Sequence, residues 1–388
     1  MSRVRPARLD YIAGIGVDRM GSLADADQGD VLRLENLDVN LAPVPEAVER
    51  TRFAAGFDPD NSYLPFVGQQ RLREVVAAHV SAASGVNYSG ERNCIVTPGG
   101  LAGILNALLA TLEVGDEVIL TDPTYAGLIN RVRLAGGVPR FAPFRFEPGQ
   151  TWTFEPSQLE RLVTPRTRAM LLMSPSMPSG GYFSPSDWSL IGHTCVRHDL
   201  WLILDAAMER LLFDGRPVIH PAGLPGMAER TITVGSASKE LRMIGWRVGW
   251  IVAPETLMPD LTAVALANVV VPVGIAQAAV AIALARSNDD LPGYVAELER
   301  RRDTLLHELA GLPVGVPAGG WSMLLRVSDF GLDGATMSAR LLEHGVAATA
   351  MGGWGERHGA QYIRFVFSNE PVSRLTGLRA RIDRALSP

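Results

Sequence analysis

GSASKELRMIGWRVGW, Gly235 to Trp250, is the stretch on which the reading of this chain turns. Lys239 follows a β-branched run, RTITVGS, and sits among small hydroxyl residues. If its surroundings strip its proton, an amine so placed can attack a carbonyl and form a Schiff base. Ser236 and Ser238 are donors suited to a phosphate, and Arg247 adds a fixed positive charge. A lysine beside a turn is ordinarily a solvated surface residue. Ser-x-Ser-Lys with Gly-x-Arg-x-Gly following closely argues against that here, and lysine is scarce in this chain beside arginine.

Outward from this segment, short β-branched runs alternate with amphipathic helices. NCIVTP, DEVILTD, VPRFAPF, RAMLLMS, LWLILD and RTITVGS read as strands; LAGILNALLATL and YAGLINRVRLAGG read as helices, the latter ending on a glycine pair. That alternation predicts a mainly parallel sheet covered by helices on both faces. Such sheets bind ligands beyond the carboxyl ends of their strands. Gly99–Gly100, Asp122–Pro123, Ser174–Gly180, Asp205 and Ser236–Lys239 all fall at those ends, which points to one site. After about residue 290 the pattern changes to a long charged helix, PGYVAELERRRDTLLHELAG, and then an α+β stretch containing WSMLLRV and YIRFVFS.

Composition limits the partners. The 388 residues carry a net charge of −5, with no Lys/Arg run, which argues against nucleic acid or an anionic membrane. Cys94 and Cys195 lie in apolar surroundings without metal-ligand spacing, so we expect buried thiols, no disulfide framework and no metal. Leu261–Ala285 is apolar enough to imitate a membrane span. Asn268, Pro272, Gly274 and Gln277 interrupt it, which predicts two helices joined at a Pro-Val-Gly break. The N-terminus has a basic start but no continuous apolar run, so we read no signal peptide and expect a cytoplasmic protein.

Gly235–Trp250 resembles the Schiff-base motif of fold-type-I pyridoxal-phosphate enzymes, the aspartate aminotransferase-like class I/II group, and further motifs follow that family's order from about residue 30 onward. The resemblance implies a large domain (46–290) with a mainly parallel seven-stranded sheet, and a smaller α+β domain (1–45 plus 291–388). It implies pyridoxal 5′-phosphate as cofactor and Lys239 as the residue that bonds it and moves the Cα proton. Asp205 would pair with the pyridinium nitrogen, making the ring an electron sink. Tyr125, in DPTYAG, would stack on the ring. Gly100 and Leu101, in VTPGGLAG, would offer backbone N–H groups to the phosphate at a helix start. Tyr63, in a Tyr-x-Pro-x-x-Gly segment, would reach the cofactor of a neighbouring subunit, implying a homodimer with shared sites. Arg364, in YIRFVFS, would grip the substrate α-carboxylate.

The chain also departs from that pattern. Its Ser174–Gly180 loop carries Met177 where the family has an asparagine donating to the cofactor's phenolic oxygen, and Met208 stands where a tyrosine would do the same. A thioether is only a weak acceptor, so neither replaces the lost donor. Within Leu34–Pro45, polar and apolar residues replace a glycine near the substrate carboxylate, and we place Asn40 of this stretch at the substrate. Arg242 stands where small residues are common, either meeting an acidic or carboxamide group or solvated. The expected activity is transfer of an amino group between an amino acid and a 2-oxo acid. The alternative is a lyase or an oxidative decarboxylase/deaminase, for example on a cysteine S-conjugate.

Overall fold

The computed structural model describes residues 5–387 except 13 and 28. The first four residues of the basic N-terminus lie outside the described residues. The eight strands of the principal sheet are β2 (Cys94–Thr97), β3 (Glu117–Asp122), β4 (Val138–Arg145), β5 (Thr153–Phe154), β6 (Thr167–Met173), β7 (Trp201–Asp205), β8 (Thr231–Ser236) and β9 (Gly249–Val252). β1 (Leu32–Arg33) precedes them and pairs elsewhere. The order across the sheet is β2-β9-β8-β7-β6-β3-β4-β5. Neighbours from β8 to β4 are parallel, whereas β9 runs against both β2 and β8. The seven strands implied by the family pattern are present, and the two-residue β5 extends the edge.

The central strands are apolar throughout because helices cover both faces. In β7 every residue after Trp201 is buried, and in β8 all six are. Two apolar clusters sandwich the sheet, one around Ile104, Leu128 and Ile203, the other around Trp188, Leu202 and Leu204. Register aligns Met173, Asp205 and Val234 across β6, β7 and β8, and β8 runs two residues beyond that line, to Ser236.

A three-stranded antiparallel sheet is built by β10 (Ser322–Arg326), β12 (Thr349–Ala350) and β13 (Tyr362–Val366), and β11 (Val346–Ala347) pairs with β1. The long charged helix spans Ser287–Glu308. The apolar Leu261–Ala285 stretch resolves into the end of helix Met258–Asn268 and helix Gly274–Ala285, separated at the expected break. Among the described residues no helix is long and apolar enough to cross a membrane. Cys94 and Cys195 are free and buried, and burial pushes both thiols up to about 12.

Candidate active site

At the carboxyl ends of β2, β6, β7 and β8 lies a cavity of about 140 Å³ walled by Leu37, Gly100, Leu101, Tyr125, Met173, Met177, Asp205, Ala207, Ser236, Ser238, Lys239, Ile244 and Arg247. Asp205, at the end of β7, and Ser236, Ser238 and Lys239, at and after the end of the neighbouring β8, share the cavity wall.

One end of the cavity is built for an anion. Helix Gly100–Thr111 begins there without a side-chain cap, leaving first-turn N–H groups free for a ligand. Gly99, at φ +92°, leaves no room for a Cβ, because the Arg247 guanidinium occupies that space. Arg247 donates to the Ser238 hydroxyl at 3.2 Å and to the Ile244 carbonyl at 2.8 Å. The Ser236 hydroxyl accepts from the Ser238 N–H at 3.2 Å.

At the other end, Asp205 accepts from the Ala207 N–H at 3.1 Å. Burial pushes its carboxyl up to about 6, against the pull of that N–H, Lys239 and Arg131. Lys239 Nζ has one long contact, 3.5 Å to the Leu37 carbonyl, and lies 4.0 Å from the centroid of the Trp321 ring. Burial first, then the Arg364 charge, pull its amine down to about 8, against Asp205 and Asp38. A free, partly neutral amine is therefore accessible near physiological pH.

Arg364 is fully buried. Its Nη2 donates to the Glu35 carbonyl and to Thr349 Oγ1, each at 3.0 Å, while Nε and Nη1 have no acceptor. Its guanidinium lies 4.6 Å from the Trp354 ring centroid, and that ring meets Tyr125 edge-on at 5.3 Å. Burial lowers the Arg364 pKa to about 10, so it stays charged. A buried guanidinium with unpaired donors is costly unless an anion completes it.

Arg364 is not in the cavity wall but lies near the wall residues Lys239 and Tyr125, and three further predicted residues lie away from the cavity. Asn40 gives its amide oxygen to Arg301 at 2.9 Å, because that buried guanidinium needs acceptors; Leu37 lines the cavity instead. Met208 is buried in the apolar cluster with Met173, Met177 and Leu211, since the tight turn after Asp205 carries it inward. Tyr63 is 83% exposed on its own chain. Arg242 is buried and paired with Asp290. Trp321 and Trp354, now seen against Lys239, Tyr125 and Arg364, carry no periodic signal in sequence.

The family model for aminotransferase class I and II matches residues 30–381. The chain belongs to the class I and II aminotransferases. It is 32% identical over 360 residues to arginine–pyruvate transaminase AruH of Pseudomonas aeruginosa, covering 90% of each. Kynurenine–oxoglutarate transaminase 1 of Homo sapiens is 31% identical over 323 residues, 79% of this chain and 76% of that protein. The structure of N-succinyldiaminopimelate aminotransferase from Mycobacterium tuberculosis matches with a TM-score of 0.92 at 29% identity, covering 99% of this chain and all of that one. Aminotransferases of this family use pyridoxal 5′-phosphate. The residues present fit it: an uncapped helix start with Arg247 suits its phosphate, Asp205 its ring nitrogen, and Lys239 its aldehyde.

Proposed function

We propose that this aminotransferase exchanges amino groups between α-amino acids and 2-oxo acids at the Lys239–Asp205–Arg364 cavity. The observation that carries this assignment is Arg364, buried yet with Nε and Nη1 unpaired, next to Lys239 and Tyr125. Those donors hold the carboxylate common to both substrates and aim Cα at Lys239.

Bound in this cavity, pyridoxal phosphate supplies an electron sink for the bond broken at Cα. Lys239 Nζ takes the Cα proton and later returns it. The buried Asp205 carboxylate would pair with the ring nitrogen and favour its protonated form. Tyr125 would pack against the ring, its own position made possible by Gly127, where a Cβ would strike the tyrosine ring. The first turn of helix Gly100–Thr111, with Ser236, Ser238 and Arg247, binds the phosphate.

The working form is a cytoplasmic homodimer, in which Tyr63 of each chain serves the other chain's phosphate. Its exposure, with that of nearby Phe53, Phe57 and Phe66, supports this reading. A division into residues 46–290 and 1–45 plus 291–388 is supported by the separate three-stranded sheet.

The relatives' names pair arginine with pyruvate and kynurenine with oxoglutarate, so the test must span side chains. A panel of amino acids is incubated with and without pyruvate or 2-oxoglutarate, and 2-oxo acid, ammonia, peroxide and thiol are measured. Product that requires the acceptor is expected. Ammonia or thiol released without acceptor would overturn transamination in favour of elimination or oxidation. Met177 in the cavity wall, lacking a hydrogen-bond donor, is the feature that favours that second outcome.

A further inference from the structure

The sequence holds 36 lysines and arginines, and Lys239 is the single lysine among them. Its amine sits on an aromatic face, 4.0 Å from the Trp321 ring centroid. That ring is held firmly. Trp321 is 1% exposed, and its indole N–H donates to the Tyr294 hydroxyl at 2.9 Å. The Tyr294 ring in turn carries the Arg242 guanidinium at 4.8 Å. Arg242 is anchored by the Ala42 carbonyl at 2.8 Å and by the Asp290 carboxylate. The turn from Lys239 to Arg242 thus closes around a hydrogen-bonded Trp–Tyr pair, with one cation on each ring.

We infer that Trp321 is a positioning residue that holds the Lys239 amine in its charged form, between taking the substrate proton and returning it. The inference rests on the reading of Lys239 as proton carrier. In the first step a Cα–H bond breaks and an N–H bond forms; in the second an N–H bond breaks and a C–H bond forms. No redox partner is needed. Between these steps an ammonium must survive in a buried site.

The charged groups acting on it are mixed: Arg364 and Arg247 oppose the ammonium, while Asp205 and Asp38 favour it. An indole face attracts a cation but offers no donor to the lone pair of a neutral amine. It therefore stabilises the charged form while leaving the neutral amine free to act as base. An acidic side chain at the same position would trap the proton.

A single lysine makes the test direct. Full-length, cofactor-free chain labelled with ¹³C-lysine gives one side-chain ε-methylene signal, whose pH titration reports Lys239 alone. Trp321→Leu keeps apolar bulk and removes the aromatic face. Its titration midpoint is expected to fall by roughly 0.5–1 pH unit, about a 3- to 10-fold loss of proton affinity, with Trp321→Phe between it and wild type. An unchanged or raised midpoint in a Leu variant that retains the wild-type circular dichroism and melting transition overturns the inference. If the Leu variant does not fold, the wild-type signal decides: ε-methylene protons over the indole are expected upfield of free lysine, and an unshifted resonance overturns the inference. The parent reading fails separately, if Lys239→Ala still transaminates.

Discussion

Burial moves the pKa values of Asp205 and Lys239 away from those the two groups have in water. Burial raises the carboxyl to about 6 and lowers the amine to about 8, so the two pKa values approach each other. For Asp205 the folded pKa exceeds the unfolded one, near 4. Its contribution to stability is therefore fully present below about pH 4 and is lost as pH rises to about 6. Asp205→Asn removes that loss. In urea unfolding of the cofactor-free chain, the variant is expected to gain on wild type between pH 4 and pH 6, by on the order of 2–3 kcal/mol. A pH-independent difference would contradict this. Arg364 makes the complementary case, since its unpaired donors await an anion. Arg364→Lys retains charge but loses the planar fork, so kcat/KM for amino acids is expected to fall roughly 30- to 1000-fold in steady-state assays.

Single elements matter here through the way they grip one another. The turn Asp122–Tyr125, just beyond β3, is clasped by the loop before β13. Asp122 accepts N–H bonds from Glu356 at 3.1 Å, Arg357 at 2.7 Å and His358 at 3.4 Å, while the Trp354 carbonyl accepts from Thr124 at 2.9 Å. This clasp sets the Trp354 ring between Tyr125 and Arg364, linking the two side chains. Gly355 is needed for the approach, because a Cβ there would overlap the Asp122 carboxylate. Gly355→Ala is expected to lower stability by about 1–3 kcal/mol and to raise KM for the amino acid; thermal melts and steady-state kinetics check both. Most central strands, the long charged helix and the helix break near Pro272 were legible from periodicity and Pro/Gly positions, whereas strand β9 was not. This clasp was not, since its partners lie at least 230 residues apart.

For the whole molecule, the exposed aromatic residues Phe53, Phe57, Tyr63 and Phe66 bear on how two chains would complete each other's sites. Tyr63→Phe is expected to weaken cofactor affinity about 10- to 100-fold, as for loss of one hydrogen bond to a charged group, measured by equilibrium titration. Lys239→Ala alone is expected to be inactive. Mixed, refolded Tyr63→Phe and Lys239→Ala chains should regain activity, because a hybrid dimer has one cavity with both intact residues. No recovery on mixing would show that Tyr63 does not serve a neighbouring chain.

Local sequence chemistry determined the alternating α/β pattern, the strand-end placement of Asp205 and Ser236–Lys239, and the Ser-x-Ser-Lys turn, because each depends on neighbours close in the chain. Only tertiary structure decided that Asn40 serves Arg301, that Met208 is core, and that Arg242 is buried against Asp290. It also set Trp321 under Lys239 and Trp354 against Arg364. These outcomes depend on which distant groups compete for a buried donor or an aromatic face, and that competition is settled only when the chain is packed.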